Sequence, residues 1–93
     1  MKTLTIRITQ IDDENRGLAI LRLEGKLHLA DAEIVEQAFD EIHERNDRKI
    51  EIDLAAVSFV NSESAAVLKR IENCGARLTG LDFFIRQVIE TPE

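Results

Sequence analysis

Asn61-Ser62-Glu63-Ser64 concentrates the chain's chemical potential in four consecutive residues: an amide, two hydroxyls and a carboxylate. They stand directly ahead of Ala65, Val67, Leu68 and Ile71, whose spacing predicts a helix with one apolar face. A helix start leaves backbone N–H groups without intrahelical partners and carries the positive end of the helix dipole. A hydroxyl or amide there can cap those groups, which is what Ser and Asn commonly do at such a boundary. A serine there can also carry a phosphate, whose negative charge suits the helix end. Both readings stay open for Ser62.

The other reactive side chains are isolated. His28 and His43 lie far apart, and His43 sits beside Glu44 and one helical turn from Phe39, as a solvated helix-surface histidine would. No second His, Cys or paired carboxylate stands at a metal-ligand spacing, so no metal site is expected. Asp12-Asp13-Glu14 lacks the alternating ligands and distal glutamate of a calcium loop and reads as a solvated hairpin tip. Cys74, beside Gly75 at a helix end, has no nearby histidine to activate it and is expected to be semi-buried filler. No phosphate-cradling glycine loop is present, so neither a nucleotide nor another cofactor has motif support. No general acid, base and nucleophile can be assembled, and the chain is not expected to be an enzyme.

With 93 residues the chain is one domain, 1–93, and its surface-to-volume ratio limits its stability. A net charge of −6, with no compensating Lys/Arg cluster, disfavours nucleic acid and anionic membranes as partners. No apolar run is long enough to cross a membrane, and Met1 to Gln10 alternates rather than forming a secretory signal. A single cysteine forms no internal disulfide, which fits a reducing cytoplasm. None of this sets the oligomeric state.

The elements that must position the serines follow from periodicity. Leu4, Ile6 and Ile8 alternate with polar residues as a half-buried strand, and Leu18, Ile20, Leu21 and Leu23 resume after a loop from Asp12 to Gly17, which makes a hairpin. Glu24-Gly25-Lys26-Leu27 reads as its exit turn. Asp31 is the expected N-cap of a helix whose apolar face is Ile34, Val35, Ala38, Phe39 and Ile42 and whose end is Glu44 to Asp47. Ile50, Ile52 and Leu54 predict a third strand, with Val57, Phe59 and Val60 continuing past a short break. The second helix should end at Gly75 in the C′ position. Arg77 to Leu81 predicts a last strand, and Asp82 should cap a third helix that Pro92 stops. Phe39, Phe59, Phe83 and Phe84 fit core positions, although Phe83 beside Phe84 is a candidate exposed contact. The order ββαβαβα implies an α/β fold with a mixed four-stranded sheet and three helices packed mainly on one face.

Asp53-Leu54-Ala55-Ala56-Val57-Ser58-Phe59-Val60-Asn61-Ser62-Glu63-Ser64 resembles the central motif of the STAS domain family, the anti-sigma factor antagonists. There a strand ending D-L-x-x-V-x-F-x runs into D-S-S-G at a helix start. Leu21 to Leu27 is similar to the family's L-x-G-x-L strand exit, and Gly75-Ala76-Arg77-Leu78 to the G-x-x-L that leads into its last strand. Phe83 to Ile89 is similar to its final P-x-V-R-x-L-L helix, with phenylalanine in place of the usual proline. These pieces span nearly the whole chain in the family's order.

The resemblance implies a STAS fold and a protein–protein switch. In the antagonists the first serine of D-S-S-G is phosphorylated by a kinase that is also an anti-sigma factor, and the unphosphorylated domain binds that partner. Ser62 is the matching phosphorylation candidate. The implied docking surface is Asn61, Ser62, Glu63 and Ser64, edged by Lys69 and Arg70 on the exposed side of the same helix. Here Asn61 replaces the aspartate, Glu63 the second serine and Ser64 the glycine. Some single-domain relatives carry that glutamate, which then acts as a fixed charge in a branch outside the usual kinase's control. A second expectation is therefore a non-phosphorylated accessory subunit of a membrane transport complex of the ABC type.

Overall fold

The structure is a computed structural model that describes residues 6–45, 49–81 and 83–90, with no side-chain placement for residues 83, 84 and 90. The expected cap Asp82, the stop Pro92, Leu4, and the side chains of Phe83 and Phe84 lie outside what it describes.

Strands β1 (Ile6–Asp13), β2 (Leu18–Leu27), β3 (Lys49–Val60) and β4 (Arg77–Thr79) form one sheet in the order β1-β2-β3-β4. β1 pairs antiparallel with β2; β2 with β3 and β3 with β4 pair in parallel. Helices α1 (Leu29–Arg45), α2 (Ser62–Asn73) and α3 (Phe83–Glu90) complete the order ββαβαβα. The sheet alternates: Leu21, Leu23, Ile50, Ile52 and Leu54 are buried under the helices, while Arg22, Glu24, Glu51 and Asp53 point to the other face. Val35, Phe39, Leu68 and Ile71 close the core from α1 and α2.

Several expected boundaries move. The hairpin strands run on to Asp13 and Leu18, so the turn is only Glu14 to Gly17, because Asp13 accepts the Arg16 N–H through both its carbonyl and Oδ1. Glu24 to Leu27 is not a turn: Gly25 continues β2, paired with Ile6 on one side and Val57 on the other. α1 starts at Leu29, two residues before the expected cap. Asp31 instead lies in the first turn and reaches back, its Oδ2 accepting the His28 N–H at 3.1 Å. β4 stops at Thr79 rather than Leu81.

The break foreseen after Leu54 is a pair of bulges rather than an end. Arg22 faces Asp53 but Glu24 faces Ala56; Gly25 faces Val57 but Lys26 faces Phe59. β3 therefore carries one extra residue at each step, and its core positions run 50, 52, 54, 57 and 60. Asp53 holds the first bulge: its Oδ1 accepts the Ala55 N–H at 3.0 Å, and its Oδ2 faces Arg22 Nε at 3.4 Å. The second bulge turns Phe59 outward to 39% exposure, which corrects its expected core placement.

Gly80 locks the far side of the first bulge. Its φ is +70°, and a Cβ there would stand 2.6 Å from the Ala55 nitrogen and 2.8 Å from Asp53 Oδ1. Gly75 also has a positive φ, +117°, but open space where its Cβ would be. Left-handed strain costs about 1–2 kcal/mol at either position, and at Gly80 displacement of backbone adds to it. Gly80→Ala should therefore lower the urea unfolding midpoint clearly more than Gly75→Ala. Equal effects would mean the bulge yields freely.

Candidate functional site

The parallel strands β2 and β3 end side by side, Leu27 opposite Val60, and each feeds a helix within two residues. The starts of α1 and α2 thus share one end of the sheet, the carboxyl end at which open α/β sheets place their sites. The acidic hairpin tip, with a shallow concavity of about 420 Å³ lined by Ile11 to Asn15, lies at the opposite end.

Asn61 begins the site as the N-cap of α2, with extended φ/ψ of −103° and 178°. Its Oδ1 accepts the Ser64 N–H at 2.8 Å, and its own N–H donates to Ser64 Oγ at 3.0 Å. Ser64 Oγ–H donates in turn to the Asn61 carbonyl at 3.2 Å. This is a reciprocal capping box in which serine replaces the more usual glutamate at the third helical position. Ser64 is fully buried, 0% exposed. That removes it from the expected docking surface, because its hydroxyl is consumed by the cap and shielded by the core.

Ser62 and Glu63 are left outward on the first turn. The buried positions of α2 are Ser64, Ala65, Val67, Leu68 and Ile71, so Ser62 falls on the solvent stripe with Ala66 and Lys69. Glu63 stands at the positive end of the helix dipole, where its charge is favourable. Of the two uses open to a serine here, Ser64 has the capping one. Ser62 keeps an exposed hydroxyl.

Lys69 and Arg70, the expected edge, are exposed but engaged. Lys69 Nζ meets Glu72 Oε1 at 3.2 Å. Arg70 grips Glu36 of α1 with Nε at 2.6 Å from Oε2 and Nη2 at 2.7 Å from Oε1. The bidentate geometry braces α1 against α2. It holds the Glu36 carboxyl below its ordinary value, through the guanidinium hydrogen bonds first and its charge second, with partial burial opposing.

α2 ends as foreseen. Gly75 N–H donates to the Glu72 carbonyl and Ala76 N–H to that of Ile71, a Schellman closure with Gly75 at C′. Cys74 is exposed, not semi-buried, because the closure turns it away from the core. His43 is exposed and stacks on Phe39 with ring centroids 5.3 Å apart. Among the described residues no group of three His, Cys, Asp or Glu could hold a metal ion, and no helix is long and apolar enough to cross a membrane. Sequence reasoning missed Phe59 and His28 as surface neighbours; their rings lie 5.1 Å apart at the same end of the sheet as Ser62. The signal that could have found them is the D-L-A-A-V spacing, which puts two residues rather than one between core positions.

A mixed sheet covered on one face, delivering its third strand into a capped helix whose first turn is polar and solvent-facing, defines a small α/β module. The STAS domain model matches residues 9–91, and the chain belongs to that family. Among solved structures it is similar to the STAS domain of an antisigma-factor antagonist from Rhodobacter sphaeroides. That match has a TM-score of 0.65 and 23% identity over 82% of this chain and 87% of that one. No curated protein matches.

Two predictions test this geometry. Ser64→Ala removes half of the capping box from a buried site and should cost about 1–2 kcal/mol in chemical denaturation, whereas Ser62→Ala should stay within about 0.5 kcal/mol. The Glu36 carboxyl titrates lower folded than unfolded, so its contribution is complete above the unfolded value of ~4.3 and disappears as pH falls through the folded one. Arg70→Ala should be less stable than the parent protein at pH 7, and the gap should close on acidification. A gap that persists in acid would mean that Arg70 acts through packing alone.

Proposed function

We propose that this chain is a regulatory protein-binding module that docks a partner at the first turn of α2, in the manner of anti-sigma factor antagonists. The observation that carries this reading is the exposed Ser62 hydroxyl beside Glu63, on a turn whose other serine is fully used as a cap. Asn61, Ser62 and Glu63 form the centre of the surface, with Lys69 and the outer part of Arg70 as its edge. The partner is an anti-sigma factor or a related kinase-like protein. The site has the parts of a binding surface and needs no catalytic group of its own.

A phosphate on Ser62 would sit against the N-terminal N–H groups of α2, which favours it locally. The same dianion would face a docked partner and eject one that presents acidic or apolar groups there. The fixed carboxylate of Glu63 supports a second reading. The spot is already anionic, so the module can serve as a non-phosphorylated accessory subunit of a membrane transport complex.

Co-purification from the native cell with a tagged protein should recover a partner that both Ser62→Asp and Glu63→Lys release. Retention of the partner by both variants would place the docking surface elsewhere. Intact-mass measurement after incubation with a co-purified kinase and ATP separates the two readings. One added phosphate, abolished by Ser62→Ala, selects the switch; an unchanged mass selects the accessory subunit.

A further inference from the structure

Phe59 is the large apolar side chain that the described residues leave exposed, at 39%. It stands three residues before Ser62, on the last turn of pleat of β3, with Lys26 of β2 as its cross-strand partner. The β3 bulge at Ser58 directs it outward, and the Ser58 hydroxyl, 3.4 Å from the Gly25 carbonyl, ties that bulge to β2.

The ring is also backed. His28 lies against it at 5.1 Å between centroids, tilted by 38°. His28 is itself anchored: its backbone N–H donates to Asp31 Oδ2 at 3.1 Å, and its Nδ1 lies 3.3 Å from the same oxygen. Asp31 is buried, 5% exposed, so the oxygen that both contacts share is itself held in place. An aromatic ring held rigid by its own strand and by an anchored neighbour loses little conformational entropy on being covered, which is the property of an interface hot spot.

The second component is Glu63. It is exposed and has no ion-pair partner among the described residues. On a chain of net charge −6, a surface that covers Glu63 must supply a cation or leave a carboxylate buried and unpaired. A second copy of this chain carries the same net charge of −6, and the long-range repulsion between two such chains makes it a poorer occupant.

We propose that Phe59 is the apolar anchor of the docking site, and that the site fits a different protein whose surface sets an apolar side chain beside a lysine or arginine. The apolar group covers the Phe59 ring against His28, and the cation meets Glu63. This rests on the docking reading of the α2 first turn and extends it across the ends of β2 and β3. Interfaces draw their affinity from such a central aromatic, with charged groups setting the choice of partner.

The test installs a benzophenone photocross-linker at position 59, at position 62 and, as a distant control, at position 44 on the outer face of α1, in cells that make the protein. The same partner should be captured from 59 and 62 but not from 44, and the peptide joined to position 59 should contain an apolar residue within reach of a Lys or Arg. With that partner purified, Phe59→Ala should weaken binding at least tenfold at unchanged Tm. Reversing the partner's cation to glutamate should weaken it too and be partly rescued by Glu63→Lys. Capture from 62 without 59, or an effect of Phe59→Ala below twofold, overturns the anchor and leaves the docking reading standing. Capture of a second copy of this chain from 59 overturns the proposed occupant, and capture from neither 59 nor 62 overturns both.

Discussion

The reciprocal pair of hydrogen bonds between Asn61 and Ser64 decides what the rest of the site can be. It closes the first turn of α2 with side chains three residues apart, so the residues between them have no capping work to do. Ser62 and Glu63 are therefore released to solvent as a consequence of their neighbours' bonds. The burial of Ser64 follows from the same constraint. A hydroxyl with one bond accepted and one donated meets the hydrogen-bonding demand that would otherwise make its burial costly. Glycine at that position would leave the Asn61 N–H without this partner, so a serine here suits a site that is held in shape by side chains.

The strand that delivers the chain to this turn is irregular, and its irregularity has a function in the fold. A regular twelve-residue strand would keep strict alternation and send Ala56 and Ser58 to the core face in place of Val57. Two extra residues restore the original phase by the end of β3, so Val60 re-enters the core opposite Leu27 while Phe59 is left outside. Asp53 holds the first irregularity from within β3, and Gly80 allows the chain after β4 to lie against it. The position of the first turn of α2 is thus fixed from three directions: the bulged strand, the close-packed loop and the cap.

Much of this was legible in the sequence for identifiable reasons. Hydrophobic period separated strands from helices, since Ile50, Ile52 and Leu54 alternate where Val67, Leu68 and Ile71 recur at helical spacing. Gly75 marked its own role because the helix end needs a positive φ. The helix start at Leu29 was hidden because Asp31 is a good cap by type. What placed it in the first turn is a bond to the backbone of His28, and that requires the preceding chain to be in position already. Phe59 was misplaced for a comparable reason: apolar character predicts burial, while a bulge is a matter of pairing register with a strand more than thirty residues away. The exchange of roles between the serines was also beyond local reading, since either could have capped by residue type alone.

Magnitudes clarify what Glu63 does to a switch built on Ser62. Two unit charges ~4 Å apart repel by about 1 kcal/mol in water and about 4 kcal/mol near a protein surface. The helix N-terminus returns about 0.3–1 kcal/mol per negative charge placed there. A phosphate on Ser62 would meet a repulsion from Glu63 that opposes the support from the helix end. It would raise the local charge from about −1 to about −3, rather than from 0 to about −2 as at a neutral motif. The unmodified surface is consequently never neutral, and any protein that docks on it must already tolerate a carboxylate at its centre. A partner matched to that carboxylate would carry its own cation and would lose less affinity on phosphorylation than one matched to a neutral turn. On the proposed docking reading, Glu63 thereby weighs toward constitutive attachment over switching.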